Sequence, residues 1–130
     1  MIILTIRTDR PEAEVGLYDD DKKLAYETWQ AHRQLAETLH RQIARNLQSV
    51  GKDWDKIEAI VVFKGPGSFT GLRIGLTVGN ALANSLKVLI VGETGEDWIA
   101  KGIKKLQKGQ NEKIIIPEYG GSVYITTPRK

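Results

Sequence analysis

The sequence predicts a single α/β domain, a mixed sheet flanked by helices in the element order βββαβαβα. Three observations carry this. The first 29 residues hold three short β-branched or alternating runs joined by tight turns, the pattern of an antiparallel meander. From His32 the apolar period lengthens to helical spacing, and helices then alternate with short apolar strands. At 130 residues, 41% apolar and 27% charged, the chain has the length and composition of one globular domain with its own core.

Met1 to Arg7 is β-branched and suits a buried strand, and the turn Thr8–Glu12 follows, with Pro11 barring continuation of the strand. Glu14 to Asp19 alternates as a second strand. The acidic turn Asp19-Asp20-Asp21 leads to a third, Lys23 to Trp29. Leu35, Leu39, Ile43 and Leu47 then recur every four residues opposite Arg33, Glu37, Arg41 and Arg45, which predicts an amphipathic helix ending near Gly51. Glu58 to Phe63 is a continuous apolar strand of the kind buried on both faces. A glycine-rich turn and a helix from about Gly71 to Leu86 come next, then a strand Val88 to Val91 and a helix Gly95 to Leu106. Residues 1–110 form the predicted domain. Residues 111–130, with the apolar runs Ile114–Ile116 and Val123–Ile125, are expected to be an added strand or an irregular tail rather than a second domain.

Composition narrows the function classes. Nineteen basic against 16 acidic residues leave a net charge of +3, too slight to argue for nucleic-acid binding. The absence of cysteine excludes disulfides, thiolate metal sites and a cysteine nucleophile. No run reaches the roughly 20 apolar residues of a membrane span, and the N-terminus lacks signal-peptide character, so no membrane association and a cytoplasmic location are expected.

The chemistry-bearing candidate is GPGSFTGLRIGL, residues 65–76. A strand, a glycine-rich turn and a helix N-terminus form an anion site in principle, because the first helical N–H groups point out unsatisfied. Gly65, Pro66, Gly67, Ser68, Phe69 and Thr70 would make the turn, Ser68 or Thr70 would cap the helix, and Arg73 would add charge. The spacing fits neither phosphate fingerprint: Leu72 stands where a Walker loop needs lysine, and Thr70 where G-x-G-x-x-G needs its third glycine. On chemistry alone a structural turn and a phosphate cradle fit equally. Downstream, Gly71, Gly75, Gly79 and Ala83 lie four apart and form a smooth stripe. Interior helical glycine costs about 1 kcal/mol, which suggests another backbone close by. That backbone could belong to this domain's own sheet. Because Leu72, Ile74, Leu76, Val78 and Leu82 make the helix apolar nearly all round, an external partner is the favoured expectation.

KGPGSFTGLRIGL, Lys64 to Leu76, resembles the signature of the bacterial TsaB (YeaZ) family. The likeness extends to the short N-terminal strand, the histidine opening an amphipathic helix (AHRQLAETL) and the strand VLIVGE, from Met1 to about Trp98. The resemblance implies a single actin-like ATPase (ribonuclease H-like) lobe. It further implies a role in installing threonylcarbamoyl on tRNA adenosine, as a non-catalytic scaffold that dimerises with the TsaD transferase and works with the ATPase TsaE. ATP and Mg²⁺ would then be used by the partner subunits and tRNA met only through the complex; no cofactor of its own is expected, and a homodimer would form when the partner is absent. The implied interface is Leu35, Leu39, Ile43, Gly71, Leu72, Gly75, Leu76, Gly79 and Ala83, so Gly75→Arg or Gly79→Arg should block docking while leaving the fold intact.

Two departures weigh against ATP hydrolysis. Arg7 stands where the actin-like fold carries a metal-orienting aspartate, and a cation cannot hold Mg²⁺. The length after Gly95 is also too short for a second lobe. The competing reading is a small nucleotide- or phosphate-binding enzyme using Gly65 to Arg73; a third is a degenerate homologue serving as an interaction module. His32 and His40, eight apart, sit about 80° around a helix and do not pair as metal ligands, so no metal site is expected.

Overall fold

The computed structural model describes residues 1–31, 34–67 and 69–118, of Phe69 the backbone alone. Its elements are β1 (Ile2–Arg7), β2 (Glu12–Asp19), β3 (Lys22–Gln30), α1 (Leu35–Ser49), β4 (Ala59–Phe63), α2 (Phe69–Leu86), β5 (Leu89–Glu93) and α3 (Trp98–Gln107). The predicted order βββαβαβα is observed.

The five strands form one sheet in the order β3-β2-β1-β4-β5. β1 pairs antiparallel with β2 and parallel with β4, and β4 pairs parallel with β5. The β2–β3 hairpin turns on Asp20 and Asp21, where Asp20 takes a left-handed φ of 52° that a short polar side chain tolerates. β4 lies inside the sheet between β1 and β5 and all five of its residues are buried, as its unbroken apolar run requires. α2 packs over Val62, Ile90 and Ile6, whereas Gly102 of α3 rests on Val61, whose side chain points to the opposite face of β4. α1 lies beside α2 and over β2 and β3. Trp98 and Phe63 meet edge to face at 5.8 Å under α3.

Several boundaries differ from expectation by one to three residues, two of them for a local reason. β2 starts at Glu12, directly after Pro11, because only the strand's interior needs the amide that proline lacks. α3 starts at Trp98 rather than Gly95, since Gly95 has φ +87°, outside the helical region.

Residues 111–118 contain no strand. They run as an irregular strap along the open edge of β5, where Asn111 Oδ1 accepts from Ile90 N at 3.1 Å and Glu112 Oε1 accepts from Gly92 N at 2.9 Å. Two side chains thus occupy amides that would otherwise invite another strand. Ile115 is buried, with Asn80 holding its N–H and its carbonyl at 2.8 and 3.1 Å. The Val123–Ile125 run lies outside the described residues, as does His32.

Candidate functional site

The glycine-rich turn sits at the C-terminal ends of β1 and β4, where an open sheet of this kind offers its crevice. Gly65 has φ +114°, a conformation that excludes other residues, and its open side faces the Glu118 carbonyl and Leu72. The Gly65–Pro66 peptide is cis. Glu118 N donates to Lys64 O at 2.6 Å, so the strap pins the start of the turn.

The far side of the turn is closed by Asp9. A Cβ on Gly67 would collide with the Asp9 Cβ, and Asp9 Oδ2 lies 3.0 Å from that position. Asp9 is 8% exposed and accepts from Arg7 Nε at 2.7 Å and from a second guanidinium nitrogen at 3.2 Å. The Arg7 guanidinium carbon sits 3.8 Å from the centroid of the Phe63 ring, which adds a cation–π contact. Arg7 therefore stands at the end of β1 with its charge engaged by Asp9, and the turn packs on the Asp9 carboxylate. An incoming phosphate would meet that negative charge at the place where a cradle presents N–H groups. Asp9, which the sequence suggests only as a turn residue, is thus part of the loop's closure. Of the predicted loop residues, Gly65, Pro66 and Gly67 form the turn and Thr70 and Arg73 are exposed on α2; Ser68 lies outside the described residues.

The glycine stripe points inward, contrary to the favoured expectation. A Cβ on Gly75 would overlap Thr8 Oγ1 and stand 3.1 Å from Thr8 Cγ2, and one on Gly79 would be 2.6 Å from Val62 Cγ1. Thr8 Oγ1 in turn donates to Gly71 O at 2.7 Å. The close backbone approach that glycine permits is to this domain's own sheet. Leu39, Ile43, Leu72, Leu76 and Ala83 are buried in the main core and Leu35 in a smaller cluster with Ala13 and Ala31, all at most 6% exposed, and they cannot form a partner's contact surface. The space beside Gly75 and Gly79 cannot house an arginine side chain. The substitutions Gly75→Arg and Gly79→Arg would therefore disrupt the fold, which corrects the expectation that they leave it intact.

What α1 and α2 do present outward is a shallow groove between them of about 390 Å³, lined by Ala36, Thr70, Arg73, Ile74, Thr77 and Val78. The lining is small or aliphatic apart from Arg73. Sequence reading missed Thr77 because a helix apolar on almost every side does not reveal which side meets its own sheet, and Ala36 because it adjoins the apolar stripe of α1 yet is exposed. It also missed Asn80, whose signal was a lone amide between Gly79 and Ala81 on the buried side.

Elsewhere, buried Glu14 accepts from the Tyr26 hydroxyl and from Arg10 at 2.9 Å. Burial, then the bond to Glu14, pushes the Tyr26 hydroxyl well above its ordinary value. His40 stacks on Trp54 at 4.9 Å. Among the described residues no three His, Asp or Glu side chains gather as a metal site. No described helix is long and apolar enough to cross a membrane.

Residues 29–114 match the family described as TsaD, tRNA N6-adenosine threonylcarbamoyltransferase. The tRNA threonylcarbamoyladenosine biosynthesis protein TsaB of Escherichia coli is 29% identical over 95% of this chain and 53% of its own length. The TsaB of Bacillus subtilis is 36% identical over 77% of this chain and 44% of its own. The chain thus spans about half the length of the curated relatives it matches. Among solved structures, YeaZ from Pseudomonas aeruginosa superposes with a TM-score of 0.68 over 83% of this chain and 50% of that one, at 23% identity, a likeness of fold. The architecture is accordingly a ribonuclease H-like, actin-like lobe.

Proposed function

The chain belongs to the TsaD family, on its TsaB (YeaZ) branch, and from that premise we propose that it serves tRNA threonylcarbamoyladenosine biosynthesis as a non-catalytic scaffold subunit. The observation that carries this reading is the match to a TsaB protein across 95% of the chain. The loop geometry supports the non-catalytic part: Asp9 and the strap close the turn from both sides, and Arg7 is engaged by Asp9. The docking face is the groove between α1 and α2, where Ala36, Ile74, Thr77 and Val78 let a helix of a TsaD-type transferase approach closely. A TsaE-type ATPase joins the assembly, ATP and Mg²⁺ are handled by those partners, tRNA is met through the complex, and the work is cytoplasmic. Without the partner, two copies cover the same groove.

Co-expression with a TsaD-type transferase tests this. Wild type should co-elute with it, and the variant carrying Ala36→Arg and Thr77→Arg, both exposed positions, should stay folded and elute alone. Failure of the wild type to co-elute would overturn the partner; co-elution of the double variant would overturn the groove.

A further inference from the structure

A second groove, of about 710 Å³, lies at the opposite end of the sheet, between the C-terminal end of α2, the start of β5 and the strap. Its floor is aliphatic, with Ala83, Val88, Leu89 and Ile114 among its lining. Its charged lining residues are Lys87 and Lys113, and no carboxylate lines it among the described residues. The adjacent Glu112 turns away, accepting from Gly92 N and from Lys105 Nζ at 2.9 Å each.

Both lysines sit where the backbone asks for a different residue. Lys87 follows the last residue of α2 with φ +58°, and Val88 N closes back on Ala83 O at 3.1 Å. That is the helix-ending position glycine normally fills. Lys113 has φ +69° and is bracketed by the bond from Ile114 N to Glu112 O at 2.7 Å, a strained γ-turn. Left-handed non-glycine residues carry a conformational cost and gather at functional sites. The α2 carbonyls give Lys87 some electrostatic return. Lys113 ends no helix; its turn is held by its own N–H, which donates to Asn111 Oδ1 at 3.0 Å. Beside them Ile114 is 69% exposed, and the next outward residue of the strap, Ile116, is 72% exposed.

We propose that this groove docks an acidic, extended segment of a partner protein, with an aliphatic anchor seated against Ile114 and Leu89 and carboxylates facing Lys87 and Lys113. Charge complementarity sets the sign of the occupant. The aliphatic floor offers no ring on which a nucleobase could stack, which favours peptide over RNA. Asn111 and Glu112 already hold the β5 edge amides, so the segment binds through side chains rather than as an added strand. This site is separate from the α1–α2 face and does not depend on its assignment.

The test uses the whole chain and a fluorescein-labelled peptide EDELLEDE, with KRKLLKRK and oligouridine as controls, read by anisotropy. The acidic peptide should bind saturably, more weakly as salt rises, while KRKLLKRK and oligouridine bind less. The double variant Lys87→Gly, Lys113→Gly keeps the backbone conformation and should melt no lower than wild type, yet bind the peptide about five-fold more weakly. Absence of peptide binding by the wild type, undiminished binding by the glycine variant, or tighter binding of either control would each overturn the proposal. So would a lower melting temperature of the glycine variant, which would assign the lysines to the fold.

Discussion

The two faces of α2 are built from similar small and aliphatic residues and do opposite work. The inner face carries Gly75 and Gly79 and lies so close to Thr8 and Val62 that even a methyl group would collide. The outer face carries Thr77, Val78 and Ile74 and, with Ala36, leaves a groove. Glycine in a helix therefore reports closeness without saying to what. Here closeness is internal, and the surface proposed for a partner is lined by small residues that retain side chains.

The largest expected effect separates the faces directly. Gly75→Arg should yield no soluble folded protein. The milder Gly75→Ala should lower stability by about 2 kcal/mol in urea unfolding, because overpacking outweighs the helix-propensity gain. A Gly75→Ala protein as stable as wild type would break the inner-face assignment. On the outer face, Thr77→Arg should change stability by no more than about 0.5 kcal/mol, in line with exposed substitutions generally, while abolishing co-elution with the transferase.

An intermediate effect is expected at the strap. Asn80→Ala removes both bonds to the Ile115 backbone and leaves those groups unpaired, at a cost of about 2 kcal/mol. Amide exchange at Ile115 should rise, and exchange at Ile90 should follow if the strap protects the β5 edge. Smaller still, Thr8→Val keeps the shape under Gly75 but deletes the bond to Gly71 O, costing about 1 kcal/mol in the same unfolding assay.

The smallest effect is the pH response of the strap's tether. Burial alone would push the Glu112 carboxyl up, but hydrogen bonds from Lys105 and from Gly92 N–H, with the nearby positive charges, hold it below its ordinary value. A carboxyl lowered in the folded state adds stability that is complete above its ordinary titration range. That stability is lost as pH falls through the lowered folded value. For Lys105, burial works to lower the pKa, yet the bonds to Glu112 and Glu93 hold it raised, so its share is present below the ordinary lysine range and lost at higher pH. The protection factor at Gly92, its exchange rate referred to the intrinsic rate at each pH, should therefore fall on acidification below the ordinary glutamate range. Glu112→Gln should flatten that response.

Element types and their order were legible in the chain, because they follow from periodicity: alternation in β2, four-residue recurrence in α1, unbroken apolarity in β4. The turn at Asp20-Asp21 was legible for a similarly local reason. The predicted partner residues failed as a set because Leu39, Ile43, Leu72 and Leu76 are what any helix buries against its own sheet, and spacing does not distinguish a sheet from a visitor. The closure of the glycine turn joins Asp9, Gly67, Lys64 and Glu118, residues far apart in the chain with no periodic relation.

The sequence by itself determined the architecture, the absence of thiol chemistry and, through GPGSFTGLR, the family, since these rest on local pattern and composition. Tertiary structure alone decided which side of α2 faces the sheet, that Asp9 engages Arg7 and closes the turn, and that two lysines share one groove. Those facts depend on pairing β1 with β4 and on the strap returning along β5, contacts between distant residues that no local pattern encodes.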